Sequence, residues 1–200
     1  MKKVYVLSQV DEERCIGDKI CENVCPTGAI KVVKKKASVD EKKCAACLKC
    51  LDVCGEGAIR IVPRAQPLIL GVNPEEVDQT TLKELCHKAH LDPEKPICVC
   101  TVTQAKEVAA AILKGAQSPE EVTLMTGIRT SCGMWCMAPI LRLLRAHGVD
   151  MTPPEGFRWY NAEPALWDIP AEVARKYPEY CLEEDRQLFH EGILDNIVGG

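Results

Sequence analysis

Short β-branched runs alternate with polar, cysteine-bearing loops over the first third of the chain. Lys3 to Leu7, Ile30 to Val33 and Ile59 to Val62 read as strands, each bounded by charged or turn residues. Pro63, Pro67, Pro74, Pro93 and Pro96 then exclude one long element and predict a connector over 65–96. One helix interrupts it. Thr81-Leu82-Lys83-Glu84 has the capping-box form, and Leu82, Leu85 and Ala89 make an apolar stripe as far as about His90. Beyond 96 the period is helical. Thr103 caps a helix to Lys114 that stops at Gly115, and Ser118, Pro119 and Glu121 supply N-cap, N1 proline and N3 carboxylate for a second, ended by Gly127. A third runs from about Pro139 to His147, buries Ile140, Leu141, Leu143 and Leu144, and stops at Gly148. Two short helices follow, near Ala171 to Lys176 and Leu182 to His190. The expected class is α+β, with strands and loops over 1–64, a connector over 65–96, a small all-helical domain over 97–149 and an irregular tail over 150–200.

The loops carry a repeat. Shifted by 29 residues, Val10-Asp11-Glu12, Cys15, Cys21, Cys25 and Gly28-Ala29-Ile30 fall on Val39-Asp40-Glu41, Cys44, Cys50, Cys54 and Gly57-Ala58-Ile59. Cys47 breaks the register by lying over Asp18. A duplicated cysteine run predicts two buried iron–sulfur clusters. Cys44-x2-Cys47-x2-Cys50-x3-Cys54 is a bacterial ferredoxin ligand run, in which three close thiolates hold one cluster and the fourth crosses to the other. Applied to both copies, Cys44, Cys47, Cys50 and Cys25 take a [4Fe-4S] cluster, while Cys15, Cys21 and Cys54 take a second with Asp18 facing its fourth iron. Carboxylate is a harder, weaker iron ligand than thiolate, so that cluster is either an Asp18-ligated [4Fe-4S] or a [3Fe-4S] beside a solvated Asp18. The segment resembles two-cluster [4Fe-4S] ferredoxins, most closely in Cys25-Pro26-Thr27-Gly28-Ala29-Ile30. It departs from them at Asp18 and at Gly55, where proline is expected.

A second ligand set lies in the helical region, Cys98-x-Cys100 and Cys132-x3-Cys136. Four thiolates at such spacing suit either a zinc ion or a cluster, and Cys-x-Cys is off the usual zinc pattern. With Ile97-Cys98-Val99-Cys100 ahead of a helix and the stretch Ala109 to Ala116, these residues resemble the bacterioferritin-associated ferredoxin-like [2Fe-2S] domain. That resemblance implies one [2Fe-2S] cluster on Cys98, Cys100, Cys132 and Cys136. Met134 and Trp135, between the ligands, either shield the cluster or pack ordinarily.

Thirteen cysteines in 200 residues suit metal rather than disulfides in a reducing compartment. With aromatics at only 4%, metal centres are expected to supply part of the folding energy. A net charge of −4 leaves no footprint for nucleic acid, and Lys34-Lys35-Lys36 reads as a solvated turn. No apolar run approaches a membrane span or a secretory signal, so a soluble, cytoplasmic protein without membrane insertion is expected. Cys86 reads as a small core residue and His87 as exposed; Cys181 and His190 have no partner in sequence. Trp159, Tyr160, Trp167, Tyr177 and Tyr180 crowd the tail and point to docking, on its own domains or on a partner. No phosphate-binding glycine loop and no HExxH appear, so the chain reads as an electron carrier without a catalytic site of its own. Its two modules resemble those in small iron–sulfur subunits of flavoprotein dehydrogenases for amines and amino acids such as proline. That implies flavoprotein subunits as partners in a hetero-oligomer. A regulatory iron- or oxygen-sensing protein and a free-standing ferredoxin are the alternatives.

Overall fold

The computed structural model describes residues 1–152 and 165–198. Pro153, Pro154, Trp159 and Tyr160 of the expected docking tail lie outside the described residues. The N-terminal unit runs β1 (Lys2–Val10), α1 (Ile20–Asn23), β2 (Ile30–Val33), β3 (Lys36–Val39), α2 (Lys49–Val53) and β4 (Ile59–Leu70). β1 pairs antiparallel with β4, and β2 with β3. β4 continues past Pro63 and Pro67 to Leu70, beyond the end expected from sequence. The prolines are tolerated because the ribbon is two-stranded and its register shifts between Val4 and Val6, where Pro63 and Leu68 bracket the irregularity. β3 escaped the sequence reading. Its hairpin turns on Lys34 and Lys35, both left-handed at φ 50° and 62°, where the usual signal is Asn or Gly.

The repeat is visible in the backbone. Lys19 and Leu48, 29 residues apart, both sit at φ 66° ahead of α1 and α2. Gly17 and Ala46 form the next matched pair, at φ 73° and 50°. Only Gly17 is confined: a Cβ there would come 2.4 Å from the Lys35 carbonyl.

The second unit holds α3 (Gln79–Lys88), β5 (Pro96–Cys98), β6 (Thr103–Gln104), α4 (Ala105–Leu113), α5 (Pro119–Thr126) and α6 (Met137–Ala146). It is not all-helical as expected. The loop after Cys98 folds back as a β5–β6 ribbon too short for periodicity to register. α3 is capped by Asp78, which accepts from the Thr81 N–H at 2.8 Å, rather than by Thr81. α4 begins after Gln104, whose N–H donates to Glu107, rather than after Thr103. Ser118, Pro119 and Gly127 frame α5 as the sequence indicates. Leu82, Leu85 and Cys86 of α3 join Val108, Ile112, Val122, Ile140, Leu143 and Leu144 in one core, so the connector helix packs as part of this unit.

The tail is helical over the described residues rather than irregular: α7 (Ala171–Lys176), α8 (Leu182–Phe189), a π-helical turn at His190–Leu194 and α9 (Asp195–Val198). α9 packs against α3, and Leu194 is fully buried. The architecture is α+β, and among the described residues no helix is long and apolar enough to cross a membrane.

Candidate metal centres

All thirteen cysteines are free of disulfides. Cys21, Cys44 and Cys50 are buried, and Cys15, Cys25, Cys47 and Cys54 half-buried; Cys15, Cys21, Cys25, Cys50 and Cys54 pack with Ile30, Ala37 and Ile59, and Cys44 with Leu7 and Ala29. Main-chain donors reach the sulfurs in matched pairs. Ala29 N–H donates to Cys25 Sγ at 3.2 Å, and Ala58 N–H to Cys54 Sγ at 3.4 Å. Ser8 N–H donates to Cys44 Sγ and Ala37 N–H to Cys15 Sγ, both at 3.4 Å. Residue 8 of the first copy thus serves a cysteine of the second, and its counterpart 37 serves the first copy, so the two halves interlock about a pseudo-dyad. Cations follow suit. Lys36 donates to the carbonyls of Glu12 and Cys15, and Arg64 to those of Glu41 and Cys44.

The symmetry is incomplete. The Ser8 hydroxyl lies 3.3 Å from Cys50 Sγ, whereas Ala37 has no hydroxyl for the other copy. Asp18, in the place of a cysteine, is exposed and accepts from the Ile20 N–H at 3.1 Å. It nevertheless lines one cavity with Cys15, Cys21 and Cys54. Burial pushes the Cys21 thiol up to about 11, with the Asp18 charge adding to the rise. Burial likewise raises Cys47 and Cys50, against the Ser8 hydrogen bond at Cys50.

In the second unit the four predicted cysteines meet in two pairs. Cys98 and Cys136 are buried and hydrogen-bonded to each other; Cys100 and Cys132 are exposed, with sulfurs 3.4 Å apart. Burial works to raise Cys98, yet hydrogen bonds from Thr101 and the Arg129 backbone hold it below the ordinary thiol range. Burial and the neighbouring Cys98 push Cys136 up to about 12. Cys132 is lowered by the Met134 N–H, by Cys100 and by the Lys49 cation. Met134 and Trp135 are 79% and 81% exposed, as are Val99 and Val102 nearby at 77% and 71%, so they form an open apolar rim rather than packing.

Two side chains invisible to motif reading join the centres. Arg129, left-handed at φ 66°, is 8% exposed and donates to the Pro26 carbonyl, next to Cys25, at 3.4 Å. It pairs with Glu120 at 3.5 Å and acts electrostatically on Cys136. Among the described residues its Nε is buried without an acceptor. Lys49, beside Cys50, reaches Gly133, where a Cβ would meet its Nζ at 2.8 Å. Leu70, Val4 and Ala45 pack with Leu124 behind this seam.

Iron–sulfur clusters fit these residues: clustered thiolates, main-chain donors aimed at sulfur, and apolar walls are the surroundings that such clusters use. Residues 8–31 match the family model of the 4Fe-4S binding domain, and residues 96–146 match that of the BFD-like [2Fe-2S] binding domain. The first match covers the copy holding Asp18. No curated protein and no solved structure matches the chain. Both matches support an iron–sulfur protein of the electron-transfer kind.

Proposed function

With two ferredoxin-type modules on one chain, we propose that this protein is the electron-relay subunit of a multi-subunit flavin-dependent oxidoreductase for amines or amino acids. Cys44, Cys47, Cys50 and Cys25 hold one [4Fe-4S]; Cys15, Cys21, Cys54 and Asp18 hold a [4Fe-4S] or [3Fe-4S]; Cys98, Cys100, Cys132 and Cys136 hold a [2Fe-2S]. Bound there, the clusters take up and release single electrons, which a two-electron flavin site on a partner requires.

The observation that carries this reading is the seam. Arg129 and Lys49 tie the Cys132–Cys136 loop to the Cys25 and Cys50 loops, so the second module sits against the all-cysteine site and not against the Asp18 site. Both ends stay accessible. Cys100 and Cys132 open to solvent within the Val99, Val102, Met134 and Trp135 rim, and Ile16 and Ile20 stand exposed beside Asp18. Exposed apolar rims at two ends suit a carrier that accepts from one partner and delivers to another. A buried cation, Arg129, lies in the seam and ties the donor and acceptor loops together.

The test is preparative. Purified anaerobically, the chain is expected to be reduced by dithionite, to oxidise no amine or amino acid alone, and to co-purify from native cells with a flavoprotein in fixed ratio. Dehydrogenase activity of the isolated chain, or monomeric elution from native extract, contradicts the subunit reading. The exposed Asp18 carboxylate, held by a backbone N–H, favours one second reading, an oxygen or iron sensor that works by losing the fourth iron.

A further inference from the structure

The sequence has four histidines, and three of them meet where the C-terminal segment lies on α3. His87 comes from the last turn of α3, and His190 from the start of the π-helical turn, more than a hundred residues later. Asp195 opens α9. One ligand atom each from His87, His190 and Asp195 lies within 4.8 Å of the others, with His87 Nε2 3.9 Å from Asp195 Oδ1. His90 stands edge-on to His190 at 5.6 Å and stacks on Trp167 at 4.1 Å, so an aromatic wall backs the group.

The π turn is a second, independent observation. Residues five apart on an α-helix, at about 100° each, point about 140° away from one another. His190 and Asp195 are five apart, and the i→i+5 turn between them brings them to one side. Such turns are rare and recur at functional sites. Leu194, fully buried between the two, anchors the geometry.

We propose that His87, His190 and Asp195 form a separate site for a divalent first-row cation, zinc being the ion tested, which clips the C-terminal segment onto the second module. Two imidazoles and one carboxylate are the donors such an ion takes, with water in the fourth position. A tetrahedral site with bonds of roughly 2.0–2.1 Å needs donors about 3.3 Å apart. Here that asks for up to about 1.5 Å of closure, which the exposed Asp195 and half-exposed His87 supply by side-chain rotation. The site is chemically distinct from the thiolate centres, and it stands whether or not the relay reading does. Binding couples α9 to α3 and so adds its free energy to the docking of the tail.

The test uses the full iron-loaded chain. Zinc chloride titrated into it is expected to bind at one equivalent per chain beyond the iron. The zinc-edge absorption spectrum is expected to fit nitrogen and oxygen neighbours at about 2.0–2.1 Å, with no sulfur shell near 2.3 Å. His87→Gln and His190→Ala are expected to weaken this binding by at least the roughly 10–100-fold that loss of an outer-shell partner costs, with iron content unchanged. Zinc is also expected to slow proteolysis between the second module and α8. A sulfur shell, no stoichiometric binding, or equal affinity in a folded histidine variant overturns the proposal. If a variant fails to fold, the wild-type spectrum alone decides.

Discussion

Arg129 donates across the seam to the carbonyl of Pro26, at 3.4 Å, and so stands between the loop of Cys25 and the buried Cys136. A buried cation beside a centre stabilises its reduced, more negative form. Arg129→Gln is therefore expected to lower the potentials of the [2Fe-2S] and of the Cys25-ligated cluster, by roughly tens of millivolts, and to leave the Asp18 cluster unmoved. An EPR-monitored redox titration separates the three. Equal shifts at all sites would mean a general loss of packing and not a local field.

Ser8 and Ala37 occupy equivalent positions, and only Ser8 offers a hydroxyl to sulfur. Hydrogen bonds to ligand sulfur raise cluster potential. Ser8→Ala is expected to lower the potential of the Cys44-Cys47-Cys50-Cys25 cluster, and Ala37→Ser to raise that of its neighbour. No change in either variant, read by the same titration, removes Ser8 from the tuning of that site.

Asp18→Cys is expected to complete a four-thiolate site. Any oxidised [3Fe-4S] signal of the wild type should disappear, and the cluster should survive air longer. Persistence of the wild-type cluster type in the variant shows that residue 18 does not face the fourth iron.

Glu120 lies over Gly28 beside Arg129 and Lys31. Burial raises its carboxyl above the ordinary value of 4.5, in spite of both cations. A raised folded pKa means that its contribution to stability is complete below 4.5 and is lost as pH rises through the folded value. Glu120→Gln should then melt higher than wild type at pH 7, with the gap closing toward pH 4. A lower melting temperature at pH 7 would show that the Arg129 pair outweighs burial.

The grouping of the cysteines was legible because the spacing that cluster chemistry requires also brings them together in the fold, and α5 because Ser118, Pro119 and Gly127 carry its caps in the local sequence. β3 was hidden by lysines in a turn that normally advertises glycine, and the continuation of β4 past Val62 by prolines that a two-stranded ribbon tolerates. The cap of α3 was misassigned because Thr81 and Asp78 are both capable caps three residues apart, and Thr81 in fact also donates its hydroxyl to Asp78. Ser8, Lys49, Arg129 and the partners of His190 lie beyond any local signal, because their roles exist only once distant segments meet.

The most direct test of the relay is low-temperature EPR of anaerobically purified protein, as isolated and after dithionite, alongside iron, zinc and acid-labile sulfide analysis. The account predicts about nine or ten irons per chain and a reduced [2Fe-2S] signal beside the cubane signals. About seven or eight irons, with sulfur-ligated zinc and no [2Fe-2S] signal, would contradict it by making the second module a structural zinc domain.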